Sequence, residues 1–467
     1  MNNRPSLNRV LGLTTAILLV ISSMIGSGVF KKIAPMSSAL GDSSLIILAW
    51  IIAGIISMFG VFTYSGLATL TEEGGGQFEY FRIIYGKFFA FIFGWTCFTV
   101  IQTASIASIA YVFGESVNNL VHFKKPIESL SEISIGNFIY PFANSGVKLF
   151  TIFTIAILTV INIFGVKKGG LLNDVFSSAK IIGILLLVVL GFALSGNSAE
   201  IDQSAIVEKP VLSGVTLISA MFTAMLAAFW AYDGWINIAY IGGEVKNPKK
   251  NIPIAIIGGT AVVMFIYVLV NMAYLKALPV DAYIQIDAEG NKIAGAEMAK
   301  TIMGVRGFIL ISILILLCTF GATNSSLMSS PRIYFQMAKE KLFFRNFGKI
   351  HTKYKTPYWA LIYQAAWASI LVISGTFDQL TDMLIFASFI FYGSGAIGLI
   401  IMKRKGIITK KIIGYPYIPL LFILFCIVLV GNALYSTTEE SLVGLLFLAS
   451  SIPLYYYLQS RNKAEGK

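Results

Sequence analysis

The chain alternates long apolar runs with short polar connections, and the runs approach the ~20 residues that an α-helix needs to cross a bilayer. Six lie in the first half: Val10 to Phe30, Leu45 to Leu67, Phe88 to Phe113, Leu149 to Val166, Val175 to Leu194 and Val215 to Ile241. Six more follow: Ile252 to Leu275, Phe308 to Tyr334, Trp359 to Ile373, Leu384 to Met402, Ile412 to Leu434 and Leu442 to Leu458. Strands of a membrane barrel would read as ~10-residue segments of alternating polarity, whereas these runs are continuously apolar. The predicted fold class is therefore an all-α polytopic membrane protein of about twelve transmembrane helices.

Composition agrees, with 56% hydrophobic and 12% charged residues against roughly 45–50% and 25% in soluble domains. A net charge of +12 raises the question of nucleic acid, but the Lys and Arg residues lie between apolar runs rather than on one solvated domain, so no such partner is expected. They read as topology signals. Of the 35 Lys and Arg, 24 fall in the termini and the connections on the same side, ten on or near the opposite side, and Lys180 inside a span. The positive-inside rule then places both termini in the cytoplasm. The first run is too long for a signal-peptide core and lacks a cleavage pattern, so it is expected to remain as the first span. Short loops suggest a bacterial inner (plasma) membrane.

Cofactor chemistry is hard to assemble. Cys97, Cys318 and Cys426 each sit inside an apolar run with no Cys-x-x-Cys pair, which reads as small buried residues. His122 and His351 lie in connections without neighbouring ligands, and Gly74-Gly75-Gly76 lacks a following Lys-Ser/Thr and is flanked by Glu72, Glu73 and Glu79. No metal, cofactor or phosphate loop is expected, and a membrane metalloenzyme is disfavoured.

Two spans carry polar signals in mid-membrane. The first contains Ser22-Ser23-Met24-Ile25-Gly26-Ser27-Gly28, where each glycine weakens a helix by about 1 kcal/mol relative to alanine. A break there would leave backbone N–H groups at the positive end of the second half-helix, and Gly26, Ser27 and Gly28 would form a carboxylate site. A small-residue face for close helix packing explains the same string. The sixth span contains Phe229-Trp230-Ala231-Tyr232-Asp233-Gly234-Trp235, and an intramembrane charge marks function by default. If this span also unwinds beside Gly234, the carbonyls of Trp230 and Asp233 become acceptors for an ammonium group, and the Trp230 ring can close over a ligand. Aromatic packing, with Asp233 hydrogen-bonded or protonated, is the competing reading. Donors for a carboxylate and acceptors for an ammonium are together the polar signature of an α-amino acid. The two interrupted spans stand five helices apart and start from opposite sides, which hints at an inverted repeat.

Lys180 lies about one turn into the fifth span. It reads as a fixed cation bridging the broken first helix to groups such as Asn324 and Ser325, as a proton carrier, or as a lysine snorkelling to the surface. Lys31 and Lys32, just beyond the Gly-Ser-Gly string, either draw anionic substrates into an outward vestibule or lie on a solvated face.

These strings, in this order, resemble the amino acid–polyamine–organocation superfamily, and within it the L-type amino acid transporter branch. The resemblance is carried by Gly26-Ser27-Gly28-Val29-Phe30, Gly75-Gly76 with Tyr80, Asn162 with Gly165-Val166-Lys167, and Trp230 to Trp235. It continues through Glu244-Val245-Lys246-Asn247-Pro248 and Asn324 with Arg332, Tyr334, Met337 and Ala338, and so covers nearly the whole chain. It implies a LeuT-like fold: two inverted five-helix repeats, 10–194 and 215–402, with two peripheral helices at 412–458, all in one transporter domain 1–467. By the same resemblance, Met24, Trp230 and Asp233 offer carbonyls to the substrate amine, Ser27 and Gly28 bind its carboxylate, Trp230 occupies an aromatic gate position, and Lys180 looks like a stand-in for a sodium ion. Trp230 where most members have Phe, together with Lys31, Lys32 and Pro331, departs from the family pattern. Eukaryotic light subunits of the branch attach to a glycoprotein through a cysteine after the third span; residues Gly114 to Lys148 contain none, so no disulfide-linked heavy subunit is expected.

The expected function is secondary active transport of neutral L-amino acids by sodium-independent exchange. Proton-coupled symport through Lys180 is the alternative, and a membrane amino acid sensor without transport is the alternative from a different class. No enzymatic activity is expected.

Overall fold

The computed structural model describes residues 9–124, 128–135, 139–194, 212–290 and 292–464, with backbone alone at 128, 166–175 and 464. Arg4, Lys125, Lys209 and Lys467, which enter the charge count, lie outside them. Among the described residues there is no strand, only isolated bridges between Leu11 and Val245 and between Ile135 and Ile139.

The first span is α1 (Leu13–Met24), a break, then α2 (Gly28–Lys31) and α3 (Ile33–Leu40). It was expected to end at Phe30; it runs ten residues further because Lys31 and Lys32, both buried, find carboxylate partners in Glu115 and Asp378. Then come α4 (Ser43–Leu67), α5 (Gln77–Tyr85), and α6 (Lys87–Thr96), which passes through a π-helical turn at Cys97–Ile101 into α7 (Gln102–Val121). α8 (Ser145–Ile163) and α9 (Val166–Leu194) complete the first five spans. The sixth is α10 (Gly214–Tyr232), a break, and α11 (Asn237–Tyr240). It is followed by α12 (Pro248–Ala277), α13 (Val280–Glu289), α14 (Ala294–Ser329), α15 (Pro331–Lys339), α16 (Tyr358–Ser374), α17 (Phe377–Arg404), α18 (Tyr417–Ser436) and α19 (Thr438–Ala464). Among the described residues, eleven helical stretches are long and apolar enough to cross a membrane, and the 17-residue α16 is a shorter apolar helix between two of them. The short helices α5 and α13 were not foreseen, since their mixed sequences carry no apolar run.

Local chemistry sets several ends. Asp42 caps α4 by accepting the Leu45 N–H at 2.9 Å, and Thr376 caps α17 by accepting from the Gln379 N–H at 3.4 Å. Packing then places the broken helices at the centre. α1 lies against α12 and α9, α3 against α13 and α10, and α10 against α4. α14 fits between α7 and α9, while α17 touches α4, α7, α18 and α19. Large apolar side chains such as Ile182, Phe265 and Leu446 stay exposed on the outside, where lipid is the solvent and their exposure costs nothing. The result is an all-α membrane bundle of LeuT-like architecture.

Candidate functional site

Both glycine-interrupted spans unwind. At the first break the Ile25 N–H still reaches the Ile21 carbonyl at 2.9 Å, the Gly26 N–H turns back to the Met24 carbonyl at 2.9 Å, and helix resumes at Gly28. At the second, Asp233 is extended (φ −69°, ψ 162°), Gly234 adopts φ 102°, and helix resumes at Asn237. The breaks pass each other in contact. A Cβ at Gly28 would stand 2.7 Å from the Ala231 Cα, and one at Gly234 would stand 2.7 Å from the Ser23 carbonyl oxygen. Each glycine is therefore required by the other helix, and Gly234, at positive φ, by its own turn as well.

Between the breaks lies a narrow cavity of about 20 Å³. Met24, Gly26, Ser27, Gly28, Trp230, Asp233 and Gly234, the binding residues read from sequence, all line it, together with Ser23. Its remaining wall is Ser105 and Ile109 of α7 and Asn237 of α11, which the sequence did not single out. Ser105 and Ile109 are four apart on one helical face, but nothing in the string distinguishes that face from ordinary packing.

The polar groups of the cavity are incompletely satisfied. The Ser27 hydroxyl and the Trp230 indole N–H are buried with no hydrogen-bond partner, and the N–H groups of Ser27 and Gly28 find none among the described residues. Native proteins rarely leave such donors unpaired, so their convergence on one cavity marks a place for an acceptor. The Gly26 N–H, also expected to face an anion, is instead used within the turn. On the acceptor side, the Met24 carbonyl already takes the Tyr267 hydroxyl at 2.8 Å, and the Trp230 carbonyl takes the Asp233 N–H at 3.4 Å. Asp233 turns its carboxylate to Tyr392 of α17, whose hydroxyl donates at 2.5 Å. Tyr392 is a further residue that sequence reading missed.

Lys180 is fully buried, which removes the snorkelling reading. Its Nζ donates to the Ser22 carbonyl at 3.0 Å, the Ser22 hydroxyl at 3.1 Å and the Ile25 carbonyl at 3.0 Å, all at the end of α1. Ser325 approaches through Ser22, its hydroxyl 3.4 Å from that of Ser22. Asn324, expected to join the lysine, pairs with Asn162 at 2.8 Å instead. α8 brings the Asn162 amide against α14, where it donates to the Asn324 side-chain oxygen, while the Lys180 ammonium already holds three oxygens of the first break.

The cavity is closed on both sides. Toward the termini, Val10 and Leu11 N–H donate to the Glu244 carbonyl at 2.9 and 3.0 Å, and the buried Arg332 pairs with the Glu244 side chain at 3.1 Å and donates to the Met328 carbonyl. Glu79 of α5, also buried, accepts from Arg82 and from Gln336 at 3.0 Å. On the opposite side the expectation for Lys31 and Lys32 fails: neither is solvated. Lys31 pairs with Glu115 of α7 at 2.8 Å, and Lys32 pairs with Asp378 of α17 at 2.6 Å and donates to the Thr381 hydroxyl at 2.9 Å. Nearby, on α13, burial pushes the Asp287 carboxyl above its usual range, against the opposing effect of a 2.6 Å hydrogen bond donated by Ser38. Among the described residues no group of His, Cys, Asp and Glu is placed to hold a metal, and the three cysteines are free and buried.

Two broken helices crossing around a polar cavity in a membrane bundle have the architecture of a carrier site near the membrane midplane. The chain belongs to the amino acid permease family, whose model matches residues 11–454. It is similar to the serine/threonine exchanger SteT of Bacillus subtilis (strain 168), at 29% identity with 98% of each chain covered. It is also similar to the human b(0,+)-type amino acid transporter 1, at 28% identity over 97% of this chain and 88% of the relative. The mouse large neutral amino acids transporter small subunit 2 matches at 26% over 98% and 83%. The protein is thus an amino acid transporter related to the L-type branch, in a family of transporters rather than enzymes.

Proposed function

We propose that this protein exchanges neutral L-amino acids across the plasma membrane by alternating access, without sodium. The observation that carries the reading is the Lys180 ammonium, held by three oxygens at the end of α1. Those oxygens would otherwise need a coupling cation, and a covalently fixed charge makes an external one unnecessary.

The unpaired donors of Ser27, Gly28 and Trp230 suit a substrate carboxylate, and the Asp233 carbonyl and carboxylate suit its ammonium. Ser105 and Asn237 offer polar groups, and Ile109 an apolar one, to a small side chain with a polar end, which fits a relative named as a serine/threonine exchanger. Residues 10–194 and 215–402 are the two halves that move around the site, with 412–458 at the periphery. Both termini face the cytoplasm of a bacterial inner membrane, and no disulfide-linked heavy subunit is needed.

The test is uptake of labelled L-serine and L-threonine into liposomes holding the purified protein, with and without internal amino acid, sodium and a proton gradient. Uptake that requires internal amino acid and ignores sodium is expected. Accumulation driven by a proton gradient alone would replace exchange by symport through Lys180, and stoichiometric binding without movement would make the protein a sensor.

A further inference from the structure

The two lysines that depart from the family pattern occupy a defined place above the cavity. They follow the first break directly, Lys31 ending α2 and Lys32 leading into α3. Their partners belong to other helices: Glu115 near the end of α7, and Asp378 in the first turn of α17. Both ammonium groups also stand over one aromatic ring, Phe377, at 4.7 and 4.8 Å from its centroid. That ring meets Trp230, the cavity's own aromatic wall, edge to face at 6.1 Å and 81°. A continuous stack therefore runs from two ion pairs through Phe377 to the binding site.

We propose that Lys31 and Lys32, with Glu115, Asp378 and Phe377, form the outer gate of this carrier, holding the outer half of the first broken helix against α7 and α17. The proposal rests on the alternating-access reading, since a gate has meaning only if the cavity opens to this side.

The two pairs do different work. In the Lys31–Glu115 pair both side chains are shielded, 10% and 8% exposed, whereas Asp378 is 60% exposed and meets water. A buried pair gains attraction and loses hydration in comparable amounts, so opening, which rehydrates both ends, is not a deep climb. Removing one partner changes this balance. The closed state then buries a lone charge that the open state hydrates, and the equilibrium moves toward open. At the rim, where Asp378 is already hydrated, the same change matters less.

A cysteine at Ile109, which lines the cavity, reports the state of this gate through its rate of labelling by a membrane-impermeant thiol reagent from the outside, with the unsubstituted protein as blank for its three buried cysteines. No substrate is added, so the outcome is independent of whether exchange is the right reading. Glu115→Gln is expected to raise the rate about tenfold or more, Asp378→Asn no more than about threefold, and the swap Lys31→Glu with Glu115→Lys to return it near the parent. An unchanged rate in a folded Glu115→Gln protein, or a swap that labels as fast as the single variant, overturns the proposal. Should Glu115→Gln not fold, Lys31→Cys with Glu115→Cys is joined by a bifunctional thiol reagent that reductant cleaves. Amino acid movement that stops on joining and returns on cleavage supports the gate, and movement at the parental rate in the joined protein removes it.

Discussion

The two breaks solve the same problem in opposite ways. Both expose backbone in a region with no water to satisfy it. At the first, the freed carbonyls of Ser22 and Ile25 are met by a cation delivered from another helix, Lys180 of α9. At the second, the charge lies within the break itself: Asp233, whose carboxylate is held by the Tyr392 hydroxyl of α17. An imported charge locks its break to a neighbour, while a resident charge stays beside the cavity. The first break is accordingly the better fixed of the two, and the second is the better placed to respond to a ligand.

Removing the imported charge should hurt most. Lys180→Ala leaves three buried oxygens at the end of α1 without their donor, at roughly 1–3 kcal/mol each, and exchange measured in liposomes should fall on the order of 100-fold. Lys180→Arg tests whether charge alone suffices; the bulkier guanidinium should restore little, because a Cβ at Gly321 would already lie 2.9 Å from the Lys180 Cε.

Next comes the crossing point. Gly234→Ala places a methyl 2.7 Å from the Ser23 carbonyl at a backbone angle that side chains avoid. A cost of about 1–3 kcal/mol is expected, visible as a lower melting temperature together with reduced exchange. A melting temperature equal to the parent's would show that the second break is looser than its geometry implies.

Tyr392→Phe removes the donor that holds the resident charge. Hydrogen bonds to charged groups are worth about 1.5–3 kcal/mol, so a change of roughly tenfold in exchange is expected. A rise in KM would show that Asp233 serves the substrate; a change confined to the maximal rate would assign it to the movement between states. The smallest effect belongs to Ser27→Ala, which deletes one neutral donor and should raise KM about fivefold, in line with roughly 1 kcal/mol per hydrogen bond. An unchanged KM would leave the carboxylate to the backbone N–H groups alone.

What the sequence determined by itself was everything that depends on runs and on local backbone. Continuous apolarity fixed an all-α membrane fold, because only a helix or a closed barrel satisfies its backbone in lipid. Glycine beside serine, and glycine beside aspartate, identified both breaks, since loss of side chains weakens a helix wherever it occurs. The residues of those breaks came out as the lining of one cavity for the same reason: the signal was carried by neighbours in the chain.

Tertiary structure decided whatever joins distant residues. Lys180 was visible as an anomaly, but its partners Ser22 and Ile25 lie more than 150 positions away, and the choice of Asn162 over Lys180 for Asn324 depended on which helices touch. Ser105, Ile109 and Tyr392 carried no local mark and acquired a role only because α7 and α17 pass the breaks. The clearest case is the lysine pair. As a string, Lys31-Lys32 reads as the end of a span, for two adjacent cations belong in water; Glu115 and Asp378 arrive from α7 and α17 to neutralise them, and the helix continues to Leu40. Charge pairing is a property of contact, and contact is what a linear sequence does not state.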